Sequence, residues 1–118
     1  MKPRILFVED HDDTRLMVRR LLDKQGYQVE TAETLDAGLE MAQAEDYDLF
    51  LLDYQLDDGN GKELCQKIRE FDAATPILFF SASHPNVQQD AVECGAQGFV
   101  LKPDIDALQS EISRTLRA

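Results

Sequence analysis

Four short apolar runs constrain this chain most: Ile5-Leu-Phe-Val8, Leu49-Phe-Leu-Leu52, Ile77-Leu-Phe-Phe80 and Phe99-Val-Leu101. None alternates with polar residues, so each reads as a strand buried on both faces, the habit of a parallel sheet. A weaker fifth run, Tyr27 to Ala32, follows Gly26 and reads as another strand. The 118 residues suit one domain, residues 1–118, and 43% apolar content can cover both faces of such a sheet.

Stretches of helical length separate the runs. From Thr14 to Gln25, Val18, Leu21 and Leu22 share one face, and Gly26 is placed as a stop. Thr34 can cap a second helix carrying Leu35, Leu39 and Ala42. After Asn60, Leu64, Cys65, Ile68 and Phe71 form an apolar stripe. Pro85 suits the first turn of a fourth helix, which carries Val87, Ala91 and Cys94 and stops at Gly95. Asp104 can cap a last helix with Ile105, Leu108, Ile112 and Leu116. The alternation predicts an α/β chain of (βα)5 type, a doubly wound five-stranded parallel sheet with right-handed crossovers.

Ligands of such sheets bind beyond the carboxyl ends of the strands. Strand one ends in Glu9-Asp10, strand three in Asp53, strand four in Ser81 and strand five in Lys102-Pro103. Alone, each has a plain reading: an aspartate after a strand makes a turn, a serine caps a helix, and a lysine is a solvated strand end. Five such groups gathered at one edge point to chemistry. Like charges about 4 Å apart cost on the order of 4 kcal/mol at an effective dielectric near 20, so a proton or a cation must be held there. Hard carboxylate oxygens suit Mg²⁺. Lys102 and Ser81 supply a positive charge and a hydroxyl donor for phosphate oxygens. The set lacks a base and a hydrolytic nucleophile, and suits phosphoryl transfer onto a carboxylate.

A net charge of −11 disfavours nucleic acid and anionic membranes, and favours a cation or a basic protein patch. Cys65 and Cys94 lie in helical stretches without metal-ligand spacing, which predicts buried free thiols and a cytoplasmic setting. No apolar run approaches the roughly 18 residues of a membrane span. The four apolar residues after Met-Lys-Pro-Arg are too few for a signal-peptide core.

Over its whole length the chain resembles the receiver domain of two-component response regulators. The matching segments are Val8-Glu-Asp10, Leu51-Leu-Asp53-Tyr-Gln-Leu56 with Asp58-Gly-Asn-Gly61, Phe80-Ser81-Ala82, and Gly98-Phe-Val-Leu-Lys102-Pro103. The resemblance implies a flavodoxin-like strand order, 2-1-3-4-5. It implies that Asp53 is the phosphoacceptor, charged from the phosphohistidine of a histidine kinase or phosphotransfer protein. Asp10 and Asp53 would bind Mg²⁺ through carboxylates, Glu9 through a water and Gln55 through its backbone carbonyl. Ser81 and Lys102 would contact the phosphoryl oxygens, and Phe99 holds the aromatic switch position. Such a domain is a signalling module that promotes its own phosphorylation and dephosphorylation and regulates a downstream protein target. The sequence leaves open whether it stands alone or comes from a longer protein.

Several positions depart from the family. Asp57 replaces a proline often found there, which predicts altered loop mobility or phosphoryl lifetime. Gln55 and Ser83 lie where family side chains tune hydrolysis. Gly95-Ala-Gln-Gly98 lacks the acidic pair of many DNA-binding members, which weakens the case for their charge-mediated dimer. His11 and His84 read as loop residues. Three rival readings remain. Asp10, Asp12 and Thr14 spell the DxDxT of haloacid-dehalogenase-like phosphatases, with Asp10 as nucleophile, but Asp53 then has no role. A flavin or nucleotide module would need a phosphate loop after strand one, where acids stand instead. A degenerate receiver would act only as a binding module.

Overall fold

A computed structural model describes residues 2–82 and 84–117, so the expectation for Ser83 lies outside the described residues. One parallel sheet is built from β1 (Arg4–Val8), β2 (Gln28–Ala32), β3 (Leu49–Leu52), β4 (Ile77–Ser81) and β5 (Gly98–Leu101). Its order is β2-β1-β3-β4-β5, the expected 2-1-3-4-5. The helices are α1 (Asp12–Lys24), α2 (Leu35–Ala44), α3 (Gly61–Arg69), α4 (Val87–Cys94) and α5 (Ile105–Arg117). A short antiparallel ribbon, Gln55–Leu56 with Gly59–Asn60, follows β3.

Successive strand residues face opposite sides, so the apolar runs feed two separate cores. Leu6, Val8, Phe50, Leu52 and Phe79 pack with Leu35, Leu64, Ile68 and Ala91 from α2, α3 and α4. Ile5, Phe7, Leu49, Leu51, Leu78 and Phe80 pack with Val18, Leu22, Leu108 and Ile112 from α1 and α5. Each fully buried side chain of this kind contributes about 1.5–3 kcal/mol. This double burial explains why the runs do not alternate.

The helix ends follow their local chemistry. Thr34 and Asn60 accept from the amides of Ala37 and Glu63, and Asp104 accepts from Ala107. Gly26 and Gly95 follow α1 and α4 with positive φ of 96° and 84°, which any Cβ would disfavour. Three expectations shift. Helix α1 starts two residues before Thr14, because the His11 ring accepts from the Thr14 amide and supplies an earlier cap. Pro85 lies in a turn ahead of α4, which begins at Val87. Phe71 falls beyond α3 and is 45% exposed, so the apolar stripe ends at Ile68. Cys65 and Cys94 are free and buried, and the Cys65 thiol donates to the Cys94 carbonyl at 3.2 Å. Among the described residues, no helix is long and apolar enough to cross a membrane.

Candidate functional site

The strand ladders run one residue past the strand ends and so place the polar groups. Asp53 N–H donates to Val8 O at 2.9 Å, Glu9 N–H to Ala32 O at 3.0 Å, and Lys102 N–H to Ser81 O at 2.7 Å. An open cleft of about 500 Å³ forms over this edge, lined by Glu9, Asp10, Asp53, Asp57, Ser81 and Lys102 among others. Carboxylate oxygens of Glu9, Asp10 and Asp53 lie within 4.8 Å of one another. The side chains expected to converge do so, and Gln55 joins them on the cleft wall.

Glu9 is fully buried, 0% exposed, and its two oxygens differ. Oε2 accepts from the His11 amide at 3.2 Å. Oε1 accepts no hydrogen bond, although Lys102 Nζ stands 2.6 Å away as a charge contact without hydrogen-bond geometry. Lys102 Nζ is also 3.4 Å from Asp53 Oδ1. Burial, then Glu9, pushes the Asp53 carboxyl up to about 7, against the pull of Lys102 and of the Gln55 N–H. Asp57, exposed at the turn of the ribbon, is pushed up by hydrogen bonding to Asp10 and by its charge.

Three carboxylates therefore face one lysine. The donor set is all hard oxygen, and one buried carboxylate oxygen lacks a hydrogen bond; such a set fits a small divalent cation such as Mg²⁺. Ser81 is 2% exposed, and its hydroxyl donates to the Ala82 carbonyl at 2.8 Å. That bond is local and can be exchanged for another acceptor. Phe99 is half-buried against the core on the α2–α4 side and sits opposite Phe79 in register, away from the cleft lining. The Lys102–Pro103 peptide bond is cis.

The DxDxT motif does not assemble. Asp12 is 82% exposed and pairs with Arg15 at 2.5 Å, outside the cleft. His84 packs against Tyr54 with ring centroids 4.7 Å apart and planes tilted by 49°, a loop residue as expected. Other contacts were not foreseen. Arg15 Nη1 donates to the Glu9 carbonyl at 2.9 Å. Asp58 accepts from the amides of Leu35 and Asp36, at 2.8 and 3.2 Å, which holds its carboxyl below the usual range and pins the stretch after Asp53 to α2. The Tyr54 hydroxyl hydrogen-bonds Asp90 in α4. All three join residues far apart in the chain or across a turn, and no periodicity marks them. Gly61, at the start of α3, comes so close that a Cβ there would lie 2.6 Å from the Asp53 carbonyl and 2.8 Å from the Phe79 ring.

The family described as response regulator receiver domain matches residues 5–113. The response regulator ArlR of Staphylococcus epidermidis is 34% identical over 115 residues, covering 96% of this chain and 52% of that protein. The chain thus spans about half the length of the curated relatives it matches. The crystal structure of the Vibrio cholerae chemotaxis protein CheY4 superimposes with a TM-score of 0.91 at 28% identity, covering 98% of this chain and 99% of that one. The response regulator TrrA of Thermotoga maritima, in complex with Mg²⁺-BeF, does so with a TM-score of 0.88 at 28% identity, covering 98% and 99%.

Proposed function

The chain belongs to the response regulator receiver domain family, and on that premise we propose that Asp53 is the residue that takes the phosphoryl group. Its role is phosphoacceptor signalling. The observation that carries the assignment is the meeting of Asp53 with Glu9, Asp10 and Lys102 at one sheet edge. The donor is a phosphohistidine on a partner histidine kinase or phosphotransfer protein. An Asp53 oxygen attacks phosphorus, the P–N bond breaks, and its electron pair returns to the donor imidazole.

Positioning and charge neutralisation carry most of the barrier lowering in such transfers. Lys102, 3.4 Å from the Asp53 carboxylate, stands where it can pair with a phosphoryl oxygen. Ser81 gives up its bond to the Ala82 carbonyl and donates to the phosphoryl group instead. That movement frees space toward Phe99, whose ring turns inward as the switch. Asp10 and Asp53 through carboxylates, Glu9 through a water and Gln55 through its carbonyl would hold Mg²⁺; the clustered carboxylates support a cation here, and TrrA is itself described in complex with Mg²⁺-BeF. When bound, Mg²⁺ supplies positive charge against the carboxylates and phosphoryl oxygens.

The output is a protein contact rather than nucleic acid or membrane, given the charge of −11. The two reduced thiols suit a cytoplasmic setting. Asp57 tunes the phosphoryl lifetime from the cleft rim; an unchanged dephosphorylation rate in Asp57→Pro would remove that idea. The deciding experiment is Mg²⁺-dependent labelling with acetyl phosphate, followed by mapping of the phosphorylated residue. Label on Asp53, lost in Asp53→Asn, supports a receiver. Label on Asp10 means a phosphatase, and no label means a binding module alone.

A further inference from the structure

We infer that Arg15 is a positioning residue for the cation site, acting through the main chain of Glu9; the inference rests on the receiver reading above. Glu9 stands in a gap between two hydrogen-bond ladders. The β1–β3 ladder ends where Asp53 N–H donates to Val8 O, and the α1 ladder begins where Arg15 N–H donates to His11 O. The Glu9 carbonyl belongs to neither. Among the described residues its hydrogen-bond donor is Arg15 Nη1, at 2.9 Å.

Buried backbone carbonyls are rarely left without a donor. Here a long side chain from the first turn of α1 reaches back to supply one. The Arg15 side chain is only 15% exposed, yet those of its two carboxylate partners, Asp12 and Glu33, are 82% and 70% exposed. Exposed ion pairs contribute little. They steady the far side of the fork, while the contact inside the fold is the carbonyl.

The consequence falls on the Glu9 side chain. Its amide is fixed by Ala32 O, its carbonyl by Arg15, and its Oε2 by the His11 amide. Oε1 is left over, facing Lys102, without a hydrogen bond. Arg15 thus fixes the carbonyl at the start of the turn that also carries Asp10. The Glu9 side chain starts from a backbone already in place, so less order is lost when a cation arrives.

The test is a MgCl₂ titration of the whole chain, followed by amide NMR, beside thermal melts in EDTA. Outer-shell partners of metal ligands typically change affinity 10–100-fold, and Arg15 acts one step further back, so Arg15→Met should weaken Mg²⁺ binding by about tenfold. Arg15→Lys, which keeps a donor of similar reach, should retain most of the affinity. Glu33→Gln, which leaves the carbonyl contact, should bind as wild type. Arg15→Gln, whose amide ends two atoms short of the Arg15 Nη1 donor, stays polar and carries the same expectation if the methionine variant does not fold. A lower melting temperature with an unchanged Mg²⁺ dissociation constant in Arg15→Met or Arg15→Gln would show a merely structural residue and overturn the inference. Failure of wild type itself to bind Mg²⁺ would instead bring down the receiver reading, and this inference with it.

Discussion

The Tyr54 hydroxyl donates to Oδ2 of Asp90, so the residue next to Asp53 is tied to a helix 36 residues further along the chain. Asp90 also faces Lys62 Nζ at 3.3 Å, and Lys62 reaches Glu93 at 3.4 Å. Burial, then the bond to Asp90, pushes the Tyr54 phenol up to about 12, and Tyr54 and Lys62 hold the Asp90 carboxyl below its usual range. Helix α4 has eight residues and no side-chain bond at its N-cap, Asn86. Much of its polar attachment to the body therefore passes through this cluster.

Tyr54→Phe keeps the edge-on packing against Phe79 and removes only the hydroxyl. The loss should be about 1 kcal/mol in denaturant unfolding. Amide exchange in α4 should speed up more than in α1 or α5. Uniform exchange across all helices would show that the bond does not anchor α4.

Asp53 should make the metal-free chain less stable as pH rises. Burial, then the neighbouring Glu9 carboxylate, pushes its carboxyl from the ordinary 3.8 up to about 7, so the native state holds the proton longer than the unfolded chain. This contribution of Asp53 is fully present below about pH 4 and is lost as pH rises through about 7, on the order of a few kcal/mol. Asp53→Asn should flatten this slope and be the more stable protein at pH 8 in EDTA. Parallel slopes for the two proteins would refute it. Saturating Mg²⁺ should also stabilise wild type, by about 2.7 kcal/mol at one hundred times the dissociation constant, and do less for Asp53→Asn.

Lys102→Met strands Glu9, which is 0% exposed, without its positive neighbour. Breaking a buried pair from one side costs about 3–5 kcal/mol. The double variant Glu9→Gln with Lys102→Met should recover part of this loss. Mg²⁺ should stabilise Lys102→Met more than wild type, a difference that melts with and without EDTA would measure.

Gly61→Ala forces a methyl group against the carbonyl of Asp53. Overpacking of this kind costs about 1–3 kcal/mol. Because the contact is with the acceptor's own backbone, labelling with acetyl phosphate should slow as well. A destabilised protein that labels at the wild-type rate would show that the strain relaxes into Phe79 instead.

The parallel sheet was legible because Leu49 to Leu52 and Ile77 to Phe80 are apolar on both faces, and only a doubly covered strand asks for that; its order, 2-1-3-4-5, came from the family resemblance and not from any residue pattern. The cleft was legible because strands of one direction deliver Asp10, Asp53, Ser81 and Lys102 to the same edge. What stayed hidden was pairwise. His11 caps α1, a task usually left to smaller polar side chains, so the helix seemed to begin at Thr14. Phe71 kept the helical spacing of its stripe after the helix had stopped. Asp58 and Tyr54 owe their roles to partners 23 and 36 residues distant, which no local pattern announces.

The two cores on either side of the sheet share no side chain, yet both are threaded by β3, where Leu51 belongs to one and Leu52 to the other. A disturbance at the tip of that strand is adjacent to both sides at once. Whatever moves that strand therefore presses on α1 and α5 through Leu51 and on α2, α3 and α4 through Leu52, although the two layers have no side chain in common.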